Sequence, residues 1–173
     1  MRIELETCSI RPWRRSDRDS LIRHADNRTI WRNLADVFPH PYTAQDAEAW
    51  FALLEAQNPL TNFAIEVDGE AIGGIGFTPF QDVDCKTAEF GYWLGEAHWG
   101  KGIATEVARA FVAYVFDRHP FERLQAGVFE WNPASMRVLE KMGCVREGVL
   151  RRSVFKDGQV IDRVLYAITR RSE

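Results

Sequence analysis

The segment Trp99-Gly100-Lys101-Gly102-Ile103-Ala104 sets two glycines around a lysine where a strand-like run gives way to a helix-like one. The first N–H groups of a helix have no acceptor within it, and the aligned peptide dipoles add roughly half a positive charge at that end. Glycines free the backbone to aim such amides outward, so the segment has the chemistry of an anion site, a phosphate above all. On this loop alone the alternative is a plain glycine-rich turn. Two nucleotide patterns fail on spacing. A Gly-x-x-x-x-Gly-Lys loop needs Ser or Thr after the lysine, where Gly102 stands. A Gly-x-Gly-x-x-Gly fingerprint needs glycine at Thr105, and only one strand-helix-strand unit surrounds the loop. Metal chemistry lacks a ligand set: Cys8, Cys85 and Cys144 form no Cys-x-x-Cys pair, and His24, His40, His98 and His119 show no helical i, i+4 pairing.

Trp99 to Ala104 resembles the loop pattern Arg/Gln-x-x-Gly-x-Gly/Ala of the GNAT N-acetyltransferases, with the tryptophan at its first position typical of one subgroup. Ala88-Glu89-Phe90-Gly91-Tyr92-Trp93-Leu94 before the loop is similar to the ribosomal-protein N-terminal acetyltransferase subgroup. So are Asn132-Pro133-Ala134-Ser135 and Leu139-Glu140-Lys141-Met142-Gly143 after it. The resemblance covers nearly the whole chain, including the closing Asp157-Gly158 hairpin with Asp162 and Tyr166. It implies a GNAT-like α/β fold and acetyl-CoA as cosubstrate. It further implies that the amides of Gly100, Lys101, Gly102, Ile103 and Ala104, with Trp99 heading the loop, hold the coenzyme pyrophosphate. The main chain of Trp93 and Leu94 would bond the pantetheine arm like an added strand, and the side chain of Asn132 would bind the same arm. A simple helix cap is the other reading of Asn132, and the two roles are compatible.

Acyl transfer from a thioester to an amine poses two proton problems: the amine must be neutral to attack, and the departing thiolate leaves better protonated. A lysine-like amine at ~10.4 needs far more base help at neutral pH than an α-amine at ~7.7 to 8.0. Glu89 is the base candidate. Strand alternation sets it opposite Ala88 and Phe90 and on the face of Gly91 and Trp93, and an acid among apolar neighbours is pushed toward its neutral form. The alternative is an exposed strand glutamate. Ser135 is the acid candidate and a second contact for the coenzyme. It shares a helical stripe with Leu139 and Met142, which turns its hydroxyl inward, whereas a first-turn serine that only bonds backbone is the alternative. Many family members place a tyrosine seven residues after the asparagine; here that residue is Leu139, which donates no proton, and serine in this role resembles the ribosomal-protein subgroup. Cys144 stands where the family usually has phenylalanine, read as a packing change. A Cys144 nucleophile working with His98 or His119 lacks a supporting signature.

These groups must be positioned by a definite series of elements. Leu5 to Arg11 reads as a strand, and Ser16 with Asp19 has capping-box spacing for a helix through about Ala25. Thr43 with Asp46 opens a second helix whose Ala49, Trp50, Leu53 and Leu54 form an apolar stripe. Asn62–Val67 and Glu70–Phe77 are strands joined by Asp68-Gly69, the type I′ hairpin pair. Glycines 73, 74 and 76 within the second predict a bulge or a close backbone approach. Thr87–Leu94 is a strand before the loop, and Ile103, Val107, Phe111 and Val115 recur every four residues in a helix to about Asp117, with Glu106, Arg109 and Ala113 outward. Arg123–Phe129 is a strand, Asn132 and Pro133 are the cap and first residue of a helix ended by Gly143, and Val149–Phe155 with Val160–Ile168 closes as a hairpin. The expectation is an α/β chain with a mixed, mostly antiparallel sheet flanked by helices, one domain over 1–173.

Composition bounds the remaining classes. At 173 residues with 46% hydrophobic and 27% charged side chains, the chain is of ordinary single-domain size. Twenty-two basic against twenty-five acidic residues give a net charge of −3, without the basic excess of a nucleic-acid binder. The charged N-terminal stretch and the lack of an apolar run near ~18 residues predict no membrane span, and the scattered, unpaired cysteines predict a cytoplasmic location. The leading function is acetyl transfer to a primary amine, either a protein N-terminus or a small amine such as a polyamine or aminoglycoside. A catalytically idle acyl-CoA-binding module and a nucleotide-binding redox domain are the competitors. The acceptor is chosen by Trp31 to Tyr42 and Pro79 to Lys86, whose Asp36, Asp82 and Asp84 attract a cationic amine or are simply solvated. A homodimer is neither indicated nor opposed.

Overall fold

Local chemistry sets most element ends. In the computed structural model, which describes residues 1–170, the Thr43 hydroxyl and the Asp46 carboxylate cap each other's backbone to start α3 (Ala44–Ala56). Asp68 and Gly69, at φ +49° and +82°, turn β3 (Asn62–Val67) into β4 (Glu70–Pro79) as a tight antiparallel hairpin. Asn132 caps α5 (Pro133–Met142) and Gly143, at φ +101°, ends it. Asp157 and Gly158 join β7 (Val145–Lys156) to β8 (Gln159–Thr169). The eight strands form a mixed sheet in the order β1-β2-β3-β4-β5-β6-β8-β7. β5 (Thr87–Leu94) and β6 (Arg123–Phe129) run parallel; the other registered pairs are antiparallel. Among the described residues no helix is long and apolar enough to cross a membrane. The last three residues of the expected 1–173 domain lie outside the described residues.

The chain gathers into two compact units. Met1–Gly76 with Tyr92–Val107 forms the first. Its core joins Leu21 and Ala25 of α1 (Arg18–Ala25) to Ala47, Phe51 and Leu54 of α3, with Tyr42, Trp13, Phe38 and Trp93 around them. Phe77–Gly91 with Ala108–Glu173 forms the second. There Leu124, Ala126 and Val128 of β6 are buried, and Phe129, Val154, Ile161 and Trp131 make a separate apolar cluster.

Several expectations are corrected. The stretch Leu5 to Arg11 is not one strand: β1 (Ile3–Glu4) and β2 (Ser9–Arg11) pair antiparallel around a bend at Glu6 and Thr7. That bend is held by the Glu106 carboxylate, which accepts from the Glu6 N–H and the Thr7 hydroxyl, so Glu106 does not simply face outward. Ser16 does not cap α1; the Asp17 carboxylate takes the Arg14 N–H and pairs with Arg11. The buried stripe of α3 runs through Ala47, Phe51 and Leu54, leaving Leu53 about half exposed, because the helix packs on Leu21 and Ala25 of α1 with a face turned away from the expected one. A short helix, α2 (Arg28–Trp31), capped by Asn27, had no periodic signal to announce it. The glycine run of β4 does mark close approach: a Cβ on Gly73 would collide with the Trp93 carbonyl, and one on Gly74 would lie 2.9 Å from the Trp93 indole nitrogen. Ile72 also has no opposite residue on β3, where the register slips at Ile65 and Glu66.

Candidate active site

The first unit holds the loop and the strand end before it. β5 ends at Leu94, and a 3-10 turn, Glu96–His98, leads to Trp99, Gly100, Lys101 and Gly102 before α4 (Ile103–Arg118) begins. Gly100 and Gly102 stand at φ +73° and +83°, with no atom within 4 Å of where a side chain would project. That left-handed geometry is what glycine supplies cheaply. The Gly102 carbonyl accepts from the N–H groups of Thr105 and Glu106, both at 3.1 Å. Ile103 and Ala104, at the first two helical positions, have no acceptor inside the helix by construction. The loop is tied down by a bond that sequence reasoning missed: the exposed Trp99 ring donates its indole N–H to the Leu94 carbonyl at 2.7 Å. A tryptophan at the head of a solvent-facing loop was the available signal, since its ring needs a partner for one polar atom. Nearby, His98 meets His24 edge-on at 5.6 Å. Burial, with the charges of His24 and Lys101 adding to it, holds the His98 imidazole below its usual value, so the loop's cation is Lys101.

The Trp93 ring packs against Phe38 at 5.4 Å, and Phe38 in turn meets Tyr42 at 5.2 Å. Burial, then the Asp46 charge, pushes the Tyr42 phenol up to about 12. Tyr42 is therefore a neutral, protonated wall at working pH. In the loop of the second unit, Asp82 and Asp84 are exposed.

Glu89, Asn132 and Ser135 belong to the second unit. Glu89 is half-buried and pairs with Gln125, the last registered pair of the parallel β5–β6 ladder, which also includes Thr87 with Arg123 and Ala88 with Leu124. The Asn132 side-chain carbonyl accepts the Ser135 N–H at 3.2 Å, so the capping role is realised and the amide nitrogen is a separate group. Ser135 is half-buried on the stripe that leads to the buried Leu139 and Met142. Partners across neighbouring strands share a face. Glu89, Gln125 and Ala167 therefore lie on one side of this unit's sheet, and Ala126 with Tyr166 on the other. Helix α5 covers the latter side, where the Tyr166 hydroxyl donates to Glu140 at 2.7 Å. Cys144 is buried, and burial pushes its thiol up to about 11, which keeps it protonated at neutral pH and removes it as a nucleophile.

One further group shares the Glu89 face, and no local signal in the sequence marks it. Arg163 pairs with Phe129 in the β6–β8 register, and its guanidinium carbon lies 5.9 Å from the Phe129 ring centre. Its stem crosses Gly127, where an added Cβ would stand 2.7 Å from Cδ of the arginine.

A model of the acetyltransferase (GNAT) domain matches residues 8–145. The probable N-acetyltransferase YjcK of Bacillus subtilis is 41% identical over 101 residues, 58% of this chain and 56% of that protein. The ribosomal-protein-serine acetyltransferase of Escherichia coli is 33% identical over 105 residues, 61% of this chain and 58% of that protein. The alignments thus span a little over half the length of these relatives. Among solved structures, Mycobacterium smegmatis RimJ in complex with CoA-disulfide superposes with a TM-score of 0.82 at 28% identity, over 94% of this chain and 81% of that one.

Proposed function

Because the chain belongs to the GNAT acetyltransferase family, we propose that it transfers the acetyl group of acetyl-CoA to a primary amine, foremost a protein N-terminal α-amine of the ribosomal-protein type. The observation that carries this reading is the pair of left-handed glycines, Gly100 and Gly102, at the head of α4 with open space above them. The amides of Gly100 to Ala104 bind the pyrophosphate, helped by the helix dipole and Lys101. The Trp93 and Leu94 main chain and the Asn132 side-chain amide hold the pantetheine arm, Trp99 keeping the Leu94 end in place. Acetyl-CoA supplies the thioester carbonyl. Glu89 takes the proton that the amine sheds as the C–N bond forms, and Ser135 protonates the thiolate released as the C–S bond breaks. The products are the N-acetyl amine and free coenzyme A. Exposed Asp82 and Asp84 support a second reading in which a small cationic amine, a polyamine or an aminoglycoside, is the acceptor.

Thermal unfolding with and without acetyl-CoA, followed by thiol release with N-terminal peptides, tests the reading. At a hundredfold excess over its dissociation constant the coenzyme adds about 2.7 kcal/mol. Gly102→Asp, which puts a carboxylate where the pyrophosphate sits, abolishes that shift. Ser135→Ala keeps the shift and lowers kcat about 100-fold. An unchanged shift in Gly102→Asp rejects the loop assignment, and a shift without thiol release from any amine leaves only a coenzyme-binding module.

A further inference from the structure

We propose that Arg163 recognises a carboxylate on the acceptor, so that the amine acetylated here carries a carboxylate within a few bonds of its nitrogen. The inference rests on the acetyltransferase reading and deepens it by naming the acceptor's second charge.

The argument starts from two arginines on the Glu89 face of the second unit. Arg123 is neutralised within the fold, its guanidinium donating to both oxygens of Glu147 at 2.8 and 2.6 Å. Arg163 is not. Its Nε is sealed from solvent without an acceptor, and no carboxylate pairs with it among the described residues. Removing a guanidinium donor from water without a partner is unfavourable, so a chain that retains one has a use for it or bears the cost for nothing.

The placement of the side chain is specific. A residue other than glycine at 127 would lift the stem, since its Cβ would lie 2.7, 3.3 and 3.4 Å from Cδ, Cγ and Nε of Arg163. The bare backbone at Gly127 therefore lets the arginine lie flat, its stem running from its own row opposite Phe129 over the Gly127 row of the face that also carries Gln125 and Glu89. Gly127 is one strand across from Glu89 and one two-residue step along, which at ~4.8 and ~6.8 Å places it roughly 8 Å away. Side chains rooted that close on one face can together hold an ammonium and a carboxylate oxygen about 3 Å apart, each through a hydrogen bond of about 2.8 Å. Glu89 likewise has no ion-pair partner among the described residues. One unpaired carboxylate and one unpaired guanidinium on a common face form a receptor for a zwitterion: the acid takes the ammonium, and the planar fork takes the carboxylate in two parallel bonds. The same guanidinium repels a pure polycation. The wall beside it, Phe129, Ile161 and Val154, is apolar, which strengthens a charged bond by excluding water.

The carboxylate has two chemical sources, the α-carboxylate of a free amino acid or an acidic side chain in the second position of a peptide. Steady-state acetylation by the full chain separates them, using the free amino acids, their carboxamides, spermidine, and peptide pairs that differ only by Asp or Ala at the second residue. The expected result is a kcat/KM at least tenfold higher for the carboxylate member of one pair, expressed mainly in KM. Preference in the amino-acid pairs identifies the first source, and preference in the peptide pairs the second. Arg163→Gln brings the ratio to about one while the acetyl-CoA thermal shift stays at the wild-type value. Arg163→Lys recovers part of it, having charge without the fork. Gly127→Ala, which keeps the arginine but lifts its stem, lowers the ratio as well. An unchanged ratio in Arg163→Gln, or spermidine as the best acceptor, overturns the inference. Failure of every amine with the coenzyme shift intact overturns it together with the transfer step, whereas loss of the coenzyme shift itself rejects the acetyltransferase reading.

Discussion

Arg11 of the first unit and Arg163 of the second are both held against a sheet, yet their surroundings differ completely. Arg11 is 1% exposed, and its guanidinium donates to both oxygens of Asp17 at 2.7 and 2.8 Å, to Glu66 and to the Pro12 carbonyl at 3.0 Å. Each nitrogen of its guanidinium is answered from within the fold. Arg163 keeps an apolar bed at Gly127 and Phe129 and meets no acid among the described residues. A guanidinium that the fold neutralises pins β2 to β3 and to the turn before α1 and is spent on structure. One that the fold leaves without an acid retains its charge for a molecule from outside.

The comparison can be broken most directly at Arg11. Arg11→Met leaves the Asp17 carboxylate buried without its partner, and removing one member of such a network costs about 3–5 kcal/mol. Urea unfolding reads this as a lowered midpoint at an unchanged slope. A variant within about 1 kcal/mol of wild type would mean that the ion network contributes no more than a surface pair does, and the contrast would fall.

Acid unfolding sharpens the same contrast with a smaller effect. Burial alone raises the Glu66 carboxyl, but the bonds from Arg11 and Arg2 together outweigh it and hold the group below its ordinary value of 4.5. A carboxyl lowered in the folded state binds fewer protons there than in the unfolded chain. Its contribution is complete above pH 4.5 and is lost as pH falls through the lowered value. The stability difference between wild type and Glu66→Gln, measured by urea unfolding from pH 6 down to pH 3, accordingly shrinks toward the acid end. A difference that does not change with pH would remove Glu66 from the ionic account of Arg11.

The smallest effect is expected at Arg163. Replacing it by Gln removes an unpaired charge and no ion pair, so unfolding free energy moves by no more than about 0.5 kcal/mol, measured in the same urea titrations. A loss of several kcal/mol would show that this arginine is structural, like Arg11.

Much of the scaffold was legible because its signals act over a few residues. Thr43 and Asp46, Asp68 and Gly69, and Asn132 with Pro133 and Gly143 each satisfy or terminate backbone a turn away, and each element stands where those residues put it. The glycine loop was legible for the same reason, since Gly100 and Gly102 adopt the left-handed backbone at a helix start that the chain announces locally. The run from Leu5 to Arg11 misled because its apolar pattern continues through a bend held by Glu106, about a hundred residues on. Arg11 meets Glu66 across 55 positions, and Arg163 rests on Gly127 through strand register alone. Sequence by itself therefore determined the caps of α3 and α5, the hairpin turns and the family to which the chain belongs. Tertiary structure decided which of two chemically identical arginines is neutralised, because charge partners are assigned by how strands pair, and pairing is a property of the folded sheet and not of neighbours along the chain.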